Sequence, residues 1–228
     1  MKKVLFLVLV NLSLVTHLTL AQETESNWDN QAYLINKVAW GKNQWRFSGE
    51  LQTRFQNDLT QLQQWHLEAA ATYMPSDNWE VVPDFRFTVT PTRVEYRPGL
   101  GVIYKNLFTK SQLVHQIKWQ YDQESTGYSS HGLRYALFYN YLLSEKFLGS
   151  AIAGAIFEFG EQFSDFLGVR AGFSVAYIFD ETNTLNLGYF YGAINNGESY
   201  ENIGIITLGF IINLQKKFDH LPAKYISF

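Results

Sequence analysis

Cysteine is absent from the 228-residue sequence, and no uninterrupted apolar run of about 18 residues follows residue 21. The first absence excludes disulfides and thiolate metal sites. The second excludes a transmembrane helix beyond the N-terminal segment. Neither sign of charge dominates, because 18 lysines and arginines stand against 21 aspartates and glutamates. Such a mildly acidic chain offers no electrostatic basis for binding nucleic acid.

The N-terminus has the pattern of a secretory signal peptide. Lys2 and Lys3 precede an apolar stretch that runs to Leu20, and the small residue Ala21 stands before Gln22. We therefore predict that residues 1–21 are removed. Residues 22–30 then form a lead-in with room for one short strand.

Apolar and polar side chains alternate in eleven stretches between residues 31 and 214. In Trp45–Phe55 the odd positions are mainly aromatic or aliphatic, and the even positions are charged or polar. A strand with two such faces suits lipid on one side and a wet lumen on the other. We predict an all-β fold, a closed antiparallel up-and-down transmembrane β-barrel of 10 to 12 strands; a soluble β-sandwich is the alternative. The predicted strands are residues 31–40, 45–56, 63–73, 79–89, 93–104, 111–121, 131–142, 149–159, 166–179, 184–192 and 203–214.

Eleven is an awkward number, because single-chain bacterial barrels normally have an even number of strands. We expect either a further strand within residues 22–30, which makes twelve, or a first stretch outside the wall, which makes ten. Residues 207–214 look like the terminal-strand signal that the barrel-assembly machinery reads. Residues 215–228 would then be a periplasmic tail.

The connections and the aromatic residues predict an orientation. Short turns alternate in the C-terminal half with longer polar segments at 122–130, 160–165 and 193–202, and barrels keep short turns on the periplasmic side. Two aromatic girdles are expected at the lipid–water boundaries. The set beside the short turns is Trp40, Trp45, Tyr73, Trp79, Tyr104, Tyr141 and Phe179, and the other set is Trp65, Trp119, Tyr121, Phe159, Tyr189 and Tyr191.

Several short motifs resemble a family of Gram-negative outer-membrane proteins known as domain of unknown function 2490. They are Phe157–Phe163, Val169–Phe173, Tyr177, Leu187–Tyr189 and the opening Trp45, Glu50 and Arg54. The resemblance implies an outer-membrane barrel in a Gram-negative bacterium. It lends no catalytic residues, because the family has no agreed activity.

The alternation assigns fifteen ionisable side chains to the lumen. They are Arg46, Glu50, Arg54, His66, Glu68, Glu80, Asp84, Arg86, Arg93, Glu95, Arg97, Lys118, Arg134, Glu158 and Arg170. In a barrel this narrow, opposite charges are expected to pair across strands and close most of the space. A closed structural or surface-interaction barrel is therefore the first hypothesis, and a narrow passive pore that favours anions is the second. Gln112, Gln116 and Gln120 would either bind a neutral solute or pair with these charges.

An outer-membrane lipid hydrolase is the third hypothesis. Ser129, Ser130 and His131 lie together, and His115 falls on the apolar face of its strand. If Tyr121 pairs with His131, His115 lies opposite Leu137, too far from the serines for the ~3 Å contact that a nucleophile and its base require.

No cofactor, metal site or catalytic residue is predicted. The histidines lack ligand spacing, and Glu158, Glu161 and Asp165 read as a solvated acidic loop. The expected partners are outer-membrane lipids, lipopolysaccharide and the assembly machinery, with the protein as a monomer.

Overall fold

The computed structural model describes residues 28–161, 164–180, 182–195, 197, 199–219 and 223. These residues form an all-β barrel of eleven strands. The strands are β1 (Trp28–Asn43), β2 (Trp45–Gln56), β3 (Gln61–Tyr73), β4 (Trp79–Val89), β5 (Val94–Leu107), β6 (Ser111–Glu124), β7 (Ser129–Leu142), β8 (Phe147–Gly160), β9 (Ser164–Ile178), β10 (Asn183–Asn195) and β11 (Tyr200–Phe218). The predicted signal peptide and residues 22–27 lie outside the described residues.

The barrel closes through a parallel seam between its first and last strands. Each strand pairs antiparallel with the next along the chain, whereas β1 runs parallel to β11 from Trp28 opposite Asn202 to Asn43 opposite Phe218. The expectation of an even strand number was wrong for the described chain. An odd number of alternating strands leaves the first and last pointing the same way, so one parallel pair must close the ring.

The strands extend beyond their predicted ends and shorten the connections. β5 continues to Leu107 and β6 to Glu124, so only residues 125–128 remain of the long loop predicted over 122–130. We call the end with the β1–β2, β3–β4, β5–β6, β7–β8 and β9–β10 connections the turn end, and the opposite end the loop end. Their connections are of similar length, so the predicted contrast between short turns and long loops is not present.

The β2–β3 connection is fixed against the start of β1. Asn57, Asp58 and Leu59 all have positive φ, at 51°, 51° and 70°. This backbone is uncommon for residues other than glycine and is held by outside contacts. The Asp58 carboxylate accepts a hydrogen bond from the Asn30 side chain at 2.7 Å, and the Leu59 amide donates to the Asn30 carbonyl at 3.3 Å.

Alternation along each strand separates two environments, as the sequence predicts. The outward face carries exposed large apolar side chains such as Leu51, Leu100, Phe173 and Leu187. The neighbouring inward positions are buried and often polar, as at Gln52. Such a surface suits hydrocarbon outside and a filled lumen inside.

Aromatic side chains pack across strands at both rims. At the turn end, Trp45 lies 4.9 Å from Tyr73 between ring centroids, and Trp79 lies 4.8 Å from Tyr104. At the loop end, the Trp119 ring stacks on His131 at 5.7 Å. These bands correspond to the two predicted girdles.

The lumen also contains an apolar cluster that was not expected in a mixed-charge interior. Val82, Ile103, Val114, Phe138 and Ile152 are buried together towards the turn end. Strands such as β5 and β7 carry apolar residues on both faces at this depth, as Val102 and Ile103 show.

The chain beyond β11 returns to this cluster. β11 ends at Phe218 rather than at the predicted Leu214, because Trp40–Asn43 of β1 continue to pair with it. Ala223 lies in the segment predicted as a periplasmic tail, yet it is only 2% exposed and packs in the apolar cluster. Its backbone amide donates a hydrogen bond to the Glu80 carboxylate.

Within the described part of the chain, no helix has the length and hydropathy needed to cross a membrane, a finding that does not bear on crossing by strands.

Candidate functional site: the barrel lumen

The charged residues assigned to the lumen share the inward face of their strands, apart from Arg93, which lies in the β4–β5 connection. Their inward position follows from two-residue alternation with buried neighbours. Those on strands are Arg46, Glu50, Arg54, His66, Glu68, Glu80, Asp84, Arg86, Glu95, Arg97, Lys118, Arg134, Glu158 and Arg170.

Three ion pairs link nearby strands on the inner face of the barrel, and two of them join residues that are directly opposite each other on adjacent strands. Lys37 Nζ lies 3.2 Å from Glu50 Oε2, Arg86 Nη2 lies 2.6 Å from Glu68 Oε2, and Lys118 Nζ lies 2.7 Å from Asp84 Oδ1. All six side chains are at least nine-tenths buried. Charges withdrawn from water in this way need their partners, so these pairs hold the strands in register.

The Lys118–Asp84 pair spans an intervening strand. Asp84 is on β4 and Lys118 on β6, and between them Gly99 of β5 is paired with Asp84. A Cβ atom on Gly99 would lie 2.7 Å from both Asp84 Oδ1 and Lys118 Cε. The glycine therefore provides the gap through which the two side chains meet.

A fourth ion pair lies at the turn end. Lys105 Nζ lies 2.8 Å from Glu80 Oε1, and the two side chains are 0% and 1% exposed. Glu80 also accepts the amide of Ala223. This carboxylate therefore joins β4, β5 and the segment after β11.

The loop end carries a denser charge network. Arg93 Nε lies 2.9 Å from Glu95 Oε1 and also 2.9 Å from Glu124 Oε1. Arg97 pairs with Asp122, whose other carboxylate oxygen accepts from Gln120 Nε2 at 2.7 Å.

A tyrosine in the β6–β7 connection joins the neighbouring strand at this end. The Tyr128 hydroxyl donates to Glu158 at 2.7 Å. Burial raises the pKa of Tyr128 above its ordinary value, and the hydrogen bond to Glu158 adds to the rise.

Arg54 does not follow the expectation that opposite charges pair. No carboxylate among the described residues forms an ion pair with it. Its Nε donates to Gln52 Oε1 at 2.5 Å, and its guanidinium carbon lies 4.3 Å from the centroid of the Tyr33 ring. Arg170 approaches the same ring at 5.9 Å. Tyr33 therefore serves as a shared platform for two cations.

The predicted glutamine face has mixed roles. Gln120 hydrogen-bonds to Asp122, which favours the reading in which these glutamines pair with charges. Gln112 is buried near the turn end, and Gln116 lines a cavity.

That cavity, of about 160 Å³, lies in the middle of the lumen. Its wall includes Ala136, Gly154 and Gly168 on β7, β8 and β9, whose small side chains leave the space open. The ionisable side chains in its lining are Lys37, Arg86, Lys118, Arg134 and Arg170 against Glu68 and Asp84.

Lys105, Asp122 and Lys37 are among the lumen residues that the sequence reasoning missed. Lys105 and Asp122 lie one residue beyond the predicted ends of their strands and were assigned to connections. Lys37 shares its face with Tyr33 and Ile35, so that face of β1 reads as apolar. Extending the apolar–polar alternation by one residue beyond each predicted strand end would have identified Lys105 and Asp122 as lumen residues.

Ser130 and His131 of the hydrolase hypothesis lie on opposite faces of β7. Tyr121 pairs with His131 and His115 lies opposite Leu137. Ser130 is buried on the inward face, whereas His131 stacks outside on Trp119. His115 Nδ1 lies 2.9 Å from the Tyr135 hydroxyl instead.

In the ranges that the structure describes, no three His, Cys, Asp or Glu side chains are grouped in a way that would hold a metal ion.

Comparison with solved structures finds porins. A NanC porin matches with a TM-score of 0.52 and 15% sequence identity, over 76% of this chain and 94% of that chain. A KdgM porin matches with a TM-score of 0.47 and 11% identity, over 68% and 81% of the two chains. A KdgM porin in complex with disordered oligogalacturonate gives a TM-score of 0.48 at 10% identity, over 76% of this chain and 93% of that chain. At these identities the likeness to NanC shows the barrel fold.

No curated protein matches the chain. A family model described as a protein of unknown function matches residues 28–202, which is most of the barrel. The resemblance noted in the sequence motifs is thereby confirmed: the chain belongs to the DUF2490 family.

Proposed function

We propose that this protein is an outer-membrane barrel whose lumen is closed by its own side chains, so that it acts as a structural or surface-interaction barrel rather than an open channel. The observation that carries this proposal is the filled lumen. Four buried ion pairs between nearby strands line it, and an apolar cluster occupies it near the turn end.

The apolar cluster is a stronger barrier to ions than the ion pairs are. A hydrated ion that passed Ile103, Val114 and Phe138 would lose its water without gaining polar partners. The Lys105–Glu80 pair beside the cluster is fully buried, and separating it would expose two uncompensated charges. Passage would therefore require rearrangement of packed side chains.

The outer surface supports a location in the outer membrane of a Gram-negative bacterium. Its exposed apolar side chains lie between two aromatic rims, as lipid-facing barrel walls do. We infer export by the N-terminal signal peptide, insertion by the barrel-assembly machinery and contact with lipopolysaccharide as a monomer.

Planar-bilayer conductance of the refolded chain, without the predicted signal peptide of residues 1–21, tests whether the lumen is closed. We expect no steady ion-selective steps from protein whose fold is verified by heat-modifiable migration in SDS gels, with a general porin as the positive control. Steady steps that scale with the amount of inserted protein would refute the closed lumen.

A narrow anion-selective pore is the second candidate, favoured by the five cationic against two anionic side chains around the cavity. Anion-selective steps in the same recording would establish it.

We infer that Ser130 and His131 do not act together as nucleophile and base, because they face opposite sides of the wall. Hydrolysis of micellar phospholipid that is abolished by Ser130→Ala would overturn that inference.

A further inference from the structure

The inward faces of β2 and β3 hold buried polar atoms without hydrogen-bond partners. Gln52 and Arg54 stand on the inward face of β2, and His66 is paired with Gln52 across to β3. Gln52 and His66 are 0% exposed, and Arg54 is 8% exposed. Arg54 Nη2, Gln52 Nε2 and both ring nitrogens of His66 have no hydrogen-bond partner among the described residues.

The orientation of the Gln52 amide is fixed by its neighbour. Its oxygen accepts from Arg54 Nε, so the nitrogen must point away as a donor. A buried donor left without an acceptor destabilises a protein by about 1–3 kcal/mol. Several of them together indicate that an acceptor belongs at this place.

Positive charge accumulates at the same place. Arg54 and Arg170 both lie over the Tyr33 ring, at 4.3 and 5.9 Å, and no carboxylate of the described chain forms an ion pair with either. The aromatic face offsets only part of their charge. Arg170 also lines the cavity, whose ionisable lining is predominantly cationic, and it shares the Tyr33 ring with Arg54.

We propose that the lumen binds a small oxyanion, a carboxylate or phosphate group, between Arg170 and Arg54. A guanidinium presents a planar fork of donors that matches two oxygens of such a group, and it binds them more strongly than it binds a neutral acceptor. A cavity needs about 10–15 Å³ of volume, measured in the same way as for this cavity, to hold one water molecule. The cavity of about 160 Å³ therefore has room for inorganic phosphate or acetate.

This inference goes beyond the proposed function and shares with it only the lumen. A closed barrel would hold the site within its core, whereas an open barrel would carry the same site along its path. The conductance experiment can therefore refute the closed lumen without refuting the anion site, and the binding experiment can refute the anion site without refuting the closed lumen.

Calorimetric titration of the refolded full-length chain in detergent micelles, with phosphate and acetate as separate probes at constant ionic strength, tests the site. We expect saturable binding of at least one probe that sodium chloride at the same ionic strength does not reproduce. The tighter probe identifies the oxyanion class. Absence of saturable binding for both would overturn the proposal.

Matched arginine substitutions locate the site. Arg170→Gln and Arg54→Gln should each weaken binding about tenfold or more, because a charge-assisted hydrogen bond is removed. Arg46→Gln is the control, since Arg46 lies on the inward face of β2 eight residues from Arg54, about 26 Å along the strand. Equal affinity in Arg170→Gln and Arg46→Gln would overturn the assignment.

A conservative variant keeps the test decisive if the glutamine variants fail to fold. Arg54→Lys preserves the charge but removes the planar fork, so we expect weaker binding with the fold retained. Unchanged affinity in Arg54→Lys together with unchanged affinity in Arg170→Lys would contradict the proposed arginine contacts.

Discussion

The ion pair that passes over Gly99 can be tested with two glycines on one strand. Gly99 and Gly101 are both inward-facing residues of β5. A Cβ atom at Gly101 would meet only ordinary contacts, with Val82 O at 3.6 Å as the nearest atom. A Cβ atom at Gly99 would lie 2.7 Å from Asp84 Oδ1 and from Lys118 Cε, which must move aside.

The expected magnitudes follow from these contacts. Replacing glycine by alanine in compatible extended backbone raises the free energy of unfolding by about 0.4–1 kcal/mol, since the unfolded chain loses conformational freedom. Gly101→Ala should show this gain. In Gly99→Ala the same gain is opposed by loss of the Lys118–Asp84 hydrogen bond, which is charge-assisted and contributes about 1.5–3 kcal/mol. We expect Gly99→Ala to be less stable than Gly101→Ala by about 1.5–3 kcal/mol.

The assay is equilibrium urea unfolding in lipid vesicles, followed by tryptophan fluorescence and checked by heat-modifiable migration. A third variant, Gly99→Ala with Asp84→Asn, separates the ion pair from general crowding, because the penalty of the alanine should shrink once the charge pair is gone. Equal stabilities of Gly99→Ala and Gly101→Ala would refute the crossing of the pair over β5.

Two further substitutions test other contacts. Lys105→Met should lower the free energy of unfolding by about 3–5 kcal/mol, because it leaves the buried Glu80 carboxylate without its cation. The control Lys110→Met, in an exposed turn, should change the free energy of unfolding by less than about 0.5 kcal/mol. Equal losses for the two variants in urea titrations would contradict the role of the ion pair. The pKa of Asp180 lies well below its ordinary value because its carboxylate accepts hydrogen bonds from the side chains and backbone amides of Thr182 and Asn183. The stabilisation that ionised Asp180 contributes is therefore complete above the unfolded pKa of about 3.9 and is lost as pH falls below it. The difference in free energy of unfolding between wild type and Asp180→Asn should be constant from pH 8 to 5 and shrink at pH 3. A difference that is independent of pH down to 3 would contradict the turn contacts.

The repeating features of the fold could be predicted from the sequence because they depend on local periodicity. Two-residue alternation identified the strands and their inward faces. The parallel seam between β1 and β11 could not be predicted in this way. It depends on the ends of a ring that closes between residues far apart in sequence, and no local signal reports on their relative direction.

The partners of the lumen residues were less predictable than their positions. Alternation places Arg54 inside, but its contact with Tyr33 rather than a carboxylate depends on which strands become neighbours. Lys105 was missed because β5 continues past its predicted end. Ala223 reaches the apolar cluster from beyond the last strand, where no periodicity indicates a destination.

The account rests on the division of each strand between hydrocarbon and a packed interior, and the cysteine-free chain allows that division to be measured at two adjacent positions. On β9, Phe173 is 64% exposed and Ser174 only 2%. Single-cysteine variants Phe173→Cys and Ser174→Cys, refolded into lipid vesicles, are labelled with a lipid-soluble and with a water-soluble maleimide. We predict that the Phe173→Cys variant reacts only with the lipid-soluble reagent and the Ser174→Cys variant with neither. Reaction of the Phe173→Cys variant with the water-soluble reagent, or equal labelling of both variants, would contradict the barrel in its membrane.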